Sequence, residues 1–119
     1  AARGLSRGLS GPRALPYRHP MAHLTLTGFL ICRSLEEADR VSQLLPEHIR
    51  LTRAEPGCLK FEVFRSQSDP VRFAVSEVFR DRDAFDAHQA RAAKTIWARG
   101  TAGIPRDYTI SEDRPEGRG

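Results

Sequence analysis

The spacing of apolar residues in this chain switches between every second position and every third or fourth, and this alternation constrains the fold more than any other feature. Residues 23–32, HLTLTGFLIC, place Leu24, Leu26 and Leu30 on one face and Thr25, Thr27, Phe29 and Ile31 on the other, which reads as a strand with apolar groups on both sides. Ser34 and Glu37 then fit a capping box: the Ser34 hydroxyl accepts from the amide three residues on, and Glu37 reaches back to the Ser34 amide. From there Ala38, Val41, Leu45, His48 or Ile49, and Thr52 mark one helical stripe. Pro46 lies inside it and predicts a kink or restart, because proline removes a ladder bond and crowds the preceding turn. Pro56-Gly57 ends the element.

Residues 58–65 and 71–80 read as two strands joined by the polar turn 66–70, a hairpin. Leu59, Phe61 and Val63 alternate on the first, and Phe73, Val75, Glu77 and Phe79 on the second, while Phe64, Ala74 and Val78 occupy the opposite faces. A second helix follows, capped by Asp81 or Asp83, with a stripe of Phe85, His88, Ala92 and Ile96 and with Ala93 and Trp97 beside it. Gly100 and Gly103 break it, and residues 106–111 form a short last strand. The order βαββαβ is that of an α+β, ferredoxin-like domain with a four-stranded antiparallel sheet. Two helices cover one face of such a sheet. The apolar residues on the other face predict a homodimer through the open sheet face, the alternative being scattered residues that are simply tolerated.

The sequence pI of 9.7 invites a nucleic-acid reading, but the charge is not in the body. Residues 1–20 hold Arg3, Arg7, Arg13 and Arg18 without an acid, whereas residues 21–111 hold 13 basic and 12 acidic side chains. A nearly neutral body has no basic stripe for a phosphate backbone, so no nucleic-acid partner is expected. No apolar run reaches the roughly 20 residues that span a bilayer. The domains are therefore a flexible Arg/Gly/Pro-rich extension over 1–22, the folded body over 23–111 and a polar tail over 112–119. The extension reads as a transit-like segment, a flexible arm, or text upstream of a natural start at Met21. Cys32 and Cys58, without CxxC spacing, are expected to be free thiols of a cytoplasmic protein, and no metal site is expected.

Glu55-Pro-Gly-Cys-Leu59, Phe61-Glu-Val-Phe64, and the run from Phe73 through Glu77 to Ala84, Phe85 and His88 resemble the antibiotic biosynthesis monooxygenase family over roughly residues 23–111. In that family the first helix ends in an "EPGC"-type turn, the third strand carries a glutamate, and the second helix brings a histidine about eleven residues later, the separation of Glu77 and His88. The resemblance implies a dimeric α+β barrel that oxygenates electron-rich aromatic substrates without flavin, haem or metal, hence no cofactor. Relatives degrade haem, and others act on small signalling sugars. This sequence holds no asparagine, and its sole tryptophan, Trp97, falls late in the second helix rather than on the sheet. Both features depart from the haem-degrading and anthrone-oxidising branches and leave a quinol-monooxygenase-like protein as the nearest label.

The resemblance implies Glu77 and His88 as the catalytic pair, and His48, Arg65, Trp97 and Phe73 are the candidate contacts to a small aromatic substrate. From the residues alone, Glu77 and His88 are an acid–base couple with shifted pKa values or a structural tie between sheet and helix. His48 lines the same cavity or is a surface histidine near a helix end, and Arg65 clamps an anion or pairs across the hairpin. Trp97 and Tyr108 serve equally as core or dimer aromatics, and Cys58 as a small core filler. Three functions follow: a cofactor-independent monooxygenase, a non-catalytic dimeric module for a small ligand, and a haem-binding relative using His88. A cavity around His88 and Glu77 separates the first from the second.

Overall fold

The computed structural model describes residues 22–113, so all but the last residue of the expected extension over 1–22, and residues 114–119 of the expected tail over 112–119, lie outside the described residues. Strand β1 (His23–Ile31) is followed by helix α1 (Leu35–Arg53), strands β2 (Cys58–Arg65) and β3 (Arg72–Phe79), helices α2 (Arg82–Ala92) and α3 (Ile96–Gly100), and strand β4 (Arg106–Asp113). The sheet is antiparallel in the order β2-β3-β1-β4, the ferredoxin-like arrangement expected from the periods. Register fixes which residues share a face. Phe61, Glu77, Leu26 and Ile110 form one cross-strand row, and Val63, Val75, Gly28 and Tyr108 the next.

That face packs against the helices. Leu24, Leu26, Leu30, Phe61, Val63, Phe73, Val75 and Phe79 join Ala38, Val41, Leu45 and Phe85 in a single buried core. The stripe read from the sequence of α1 is the buried one, with His48 and Thr52 included. On the opposite face the row Phe64, Ala74, Phe29 and Asp107 leaves Phe64 64% and Phe29 38% exposed, with the Arg72 guanidinium 4.5 Å above the Phe29 ring.

Local chemistry departs from expectation in five places. Ser34 caps α1 by accepting from the Glu37 amide at 3.1 Å, but the Glu37 carboxylate binds the backbone amide and guanidinium of Arg33 instead of reaching Ser34. Helix α1 runs through Pro46 without a break, since the proline sits on the exposed side, where water can serve the carbonyl it leaves unmet. The β2–β3 register shifts between Cys58 and Lys60, which throws Leu59 out of phase and leaves it 53% exposed. The second helix divides: the Thr95 hydroxyl donates to the Ala92 carbonyl at 2.7 Å and caps α3, so Ile96 turns outward rather than extending the α2 stripe. Strand β4 continues two residues beyond 111, pairing Glu112 with Leu24 and Asp113 with His23.

Gly28 lies directly against the β4 backbone. Its φ is +147°, and a Cβ there would lie 2.0 Å from the Asp107 carbonyl oxygen and 2.9 Å from the Tyr108 Cα. Gly28→Ala is expected to cost more than about 1 kcal/mol in urea unfolding, because the strained backbone and the backbone clash act together.

Candidate active site

The inner sheet face and the helices do not meet everywhere. Between them is a cavity of about 340 Å³, lined by Leu26, Phe61, Val63 and Val75 from the sheet and by His48, His88 and Trp97 from the helices. Its helix side is lined by small residues: Ala92 and Ala98 are half-buried and Ala93 and Ala102 exposed, so the space stays partly open to solvent. Glu77 opens into it from the centre of the sheet, and Arg106 and Tyr108 from the edge strand.

Glu77 is 7% exposed, and its Oε1 has no hydrogen-bond partner within the protein. Burial first, and then the negative charge of Glu55, push its carboxyl up to about 7. The expected pairing of Glu77 with His88 is not formed. His88 instead puts Nδ1 3.1 and 3.3 Å from the two carboxylate oxygens of Glu55, a residue of the turn after α1. The same carboxylate accepts from Arg91 Nε at 2.6 Å, and Arg91 Nη2 reaches Thr52 Oγ1 at 3.1 Å. Burial lowers the His88 pKa, with the Glu55 charge and hydrogen bond opposing it, so the imidazole is neutral at pH 7.

His48 is buried, which removes the reading of it as a surface histidine. Its ring stacks on Trp97 at 4.3 Å and 4°, stands edge-on to Phe61 at 5.3 Å, and lies 6.0 Å from His88. Desolvation, followed by repulsion from His88, Arg91 and Arg106, drives its pKa down to about 3. His48 and Trp97 also line a second, mostly apolar groove of about 300 Å³ between α1 and α3, so the stacked pair is a wall common to both spaces. Tyr108 is half-buried, and desolvation raises its phenol to about 12 despite Arg106 nearby.

Two expected substrate residues lie elsewhere. Arg65 donates from Nε to the Pro70 carbonyl at 2.7 Å and from Nη1 to Ser42 Oγ at 3.2 Å, and it pairs with Asp39 at 3.0 Å, so it braces the hairpin against α1. Phe73 is fully buried core. The residues that sequence reasoning left out are Glu55 and Arg91, whose only signal was that an acid closes α1 and a base follows His88 by three positions, one helical turn. Tyr108 was read only as a core or dimer aromatic. Cys32 and Cys58 are free, and burial raises both thiols, which fits core filling. Among the described residues no three His, Cys, Asp or Glu side chains converge as metal ligands, and no helix is long and apolar enough to cross a membrane.

Fold and site together define a ferredoxin-like domain with a half-open pocket carrying a buried acid and two neutral imidazoles. The family model described as "Antibiotic biosynthesis monooxygenase" matches residues 35–97, and the chain belongs to that family. Among solved structures, a Nitrosomonas europaea protein assigned to these monooxygenases superposes with a TM-score of 0.65 at 20% identity, covering 83% of this chain and 95% of its own. A Deinococcus radiodurans protein assigned likewise gives 0.62 at 27% identity, over 76% and 90%. A Pseudomonas aeruginosa protein gives 0.61 at 24%, over 82% and 97%. No curated protein matches.

The buried acid makes stability depend on pH. A folded-state pKa near 7, against 4.5 for the free group, favours the folded state below pH 4.5, and that advantage is lost as pH rises towards 7. Glu77→Gln is therefore expected to be close to neutral at pH 4 and to stabilise by on the order of 3 kcal/mol at pH 8, read from urea unfolding at both values. His48 has the opposite sign. Its depressed pKa withdraws stability as pH falls from 6.5 towards 3, and His48→Phe should flatten that acid limb.

Proposed function

We propose that this protein is a cofactor-independent monooxygenase acting on a small hydroquinone-like aromatic. The observation that carries the reading is the buried Glu77 carboxyl, poised near pH 7 and without a protein partner, facing a cavity that also holds a neutral His88. General acid–base groups work best when their pKa lies near the working pH. A cavity of about 340 Å³ sits at the small end of the roughly 300–1,000 Å³ range of ligand sites and suits one or two fused rings.

Phe61, Trp97 and the helix-side alanines offer apolar walls to an aromatic ring. Glu77 and His88 take the phenolic protons, and the resulting electron-rich anion is the reductant for oxygen. One oxygen atom enters the ring as the hydroxyl of a quinone product and the other leaves as water, so substrate and O₂ supply every atom and electron. Arg106 lines the same cavity, where its positive charge favours the substrate anion. The reading as a non-catalytic module is weakened by the open cavity, since large side chains do not close the space around His88 and Glu77. The chain lacks the asparagine of the haem-degrading branch, and a hemin titration is expected to show no Soret shift.

The homodimer through the open sheet face belongs to the same proposal. Phe64 and Phe29 share one cross-strand row on the uncovered face, a shape another copy can bury. Light scattering should give twice the chain mass, and Phe64→Glu should give the monomer.

The reaction is tested by oxygen uptake with a panel of hydroquinones and naphthohydroquinones. Activity is expected to rise with pH through about 7, to fall by about 100-fold or more in His88→Ala with the dimer intact, and to lose its pH limb in Glu77→Gln. Ala92→Leu should fill the cavity and abolish turnover without loss of stability. The absence of uptake across the panel would sink the proposal.

A further inference from the structure

We propose that Glu55 is the positioning residue of this site: by accepting from both His88 Nδ1–H and Arg91 Nε–H, it fixes His88 in one tautomer with Nε2 as its basic atom. The inference rests on the reading of His88 as a proton acceptor in the cavity. A carboxylate only accepts, so the hydrogen in the Glu55–His88 contact sits on the ring nitrogen. Neutral imidazole carries one such hydrogen, and placing it on Nδ1 leaves the lone pair on Nε2. Without an acceptor at Nδ1 the two tautomers would compete, and only one is a base through Nε2.

The clamp is built from groups far apart in sequence. Thr52, fully buried in the last turn of α1, accepts from Arg91 Nη2, and Glu55 follows in the turn after that helix. Arg91 lies one turn beyond His88 on α2, so the carboxylate ties the end of α1 to the C-terminal half of α2. The ring itself is held between Phe79 at 4.9 Å and Phe61 at 5.8 Å, which leaves rotation about its own bond as the freedom that Glu55 removes.

The charges around His88 also give Glu55 a second effect. The titratable and charged groups around His88 are Glu55 from the turn, Arg80 just after β3, Asp83 and Arg91 from α2, His48 from α1, Glu77 from β3, and Arg106 and Tyr108 from β4. Of these, the Glu55 charge supports the basicity of His88 and hinders ionisation of Glu77, whereas Arg91 opposes the first. Replacing the charge while keeping an oxygen acceptor should therefore move the activity profile to lower pH without releasing the ring. A purely structural tie would not do this.

The test is ¹⁵N NMR of the histidine side chains in the full chain at pH 7.5, combined with kinetics. His88 is expected to be protonated on Nδ1 in the unaltered protein and in Glu55→Gln, and to shift to a mixture or to Nε2–H in Glu55→Ala. With an active hydroquinone, Glu55→Ala should lose about 10-fold or more in kcat at unchanged KM, and Glu55→Gln should keep most of the rate with its profile displaced to lower pH. An Nε2–H tautomer in the unaltered protein, or no tautomer change in Glu55→Ala, overturns the assignment. If Glu55→Ala does not fold, the spectrum of the unaltered protein decides alone. If no hydroquinone is turned over, the proposed reaction fails, while the tautomer still decides the role of Glu55.

Discussion

Coverage of the sheet is the constraint on which the rest depends. Four antiparallel strands present more inner surface than α1 and the 11-residue α2 can hide, and the Thr95 cap stops α2 before it could cover the remainder. A core would normally close such a gap with large apolar side chains, at a gain of roughly 1.5–3 kcal/mol for each one buried. Here the gap is lined by alanines on the helix side and floored by a carboxyl. Stability forgone in this way is the usual mark of a site kept for function.

The polar groups in and beside that gap are graded by how their burial is compensated. Glu55 shares its carboxylate with an arginine and a histidine, so its charge is well served. His88 gives up one nitrogen to that pair. Glu77 and His48 each retain a buried atom with no partner in the protein, and their pKa values move in the directions that keep both neutral, up for the acid and down for the base. Desolvation is the larger cause in both. The pocket centre consequently gains charge only as Glu77 ionises near neutrality, with Arg106 as the cation on its wall.

Much of the fold was legible because it is written in short periods. The α1 stripe, the inner face of β3 and the βαββαβ order all follow from side chains that repeat every two, three or four positions. Features set by single side-chain bonds were not legible. Thr95 ends a stretch of good helix formers with one hydroxyl, Leu59 leaves its face through a one-residue slip, and Glu37 prefers the Arg33 guanidinium to its own cap. The site divides the same way. Glu77, His88 and His48 stand on periodic faces and could be picked out, and Trp97 joined them in the cavity. Glu55 lies in a turn 33 residues before its partner, and no periodicity reports such a contact. Arg65 and Phe73 looked suitable by residue type, but the hairpin turn and α1 claim the first and the core the second.

The wall between the inner cavity and the outer groove contains the only tryptophan of the chain, stacked flat on an imidazole that stays neutral down to about pH 3. The indole therefore sees both spaces at once and no other indole competes with its emission. Whatever enters the cavity, or shifts α3 against α1, changes the polarity around a single fluorophore. The protein thus carries an intrinsic optical reporter at the place where its occupancy would be felt, and its contents can be followed without a label.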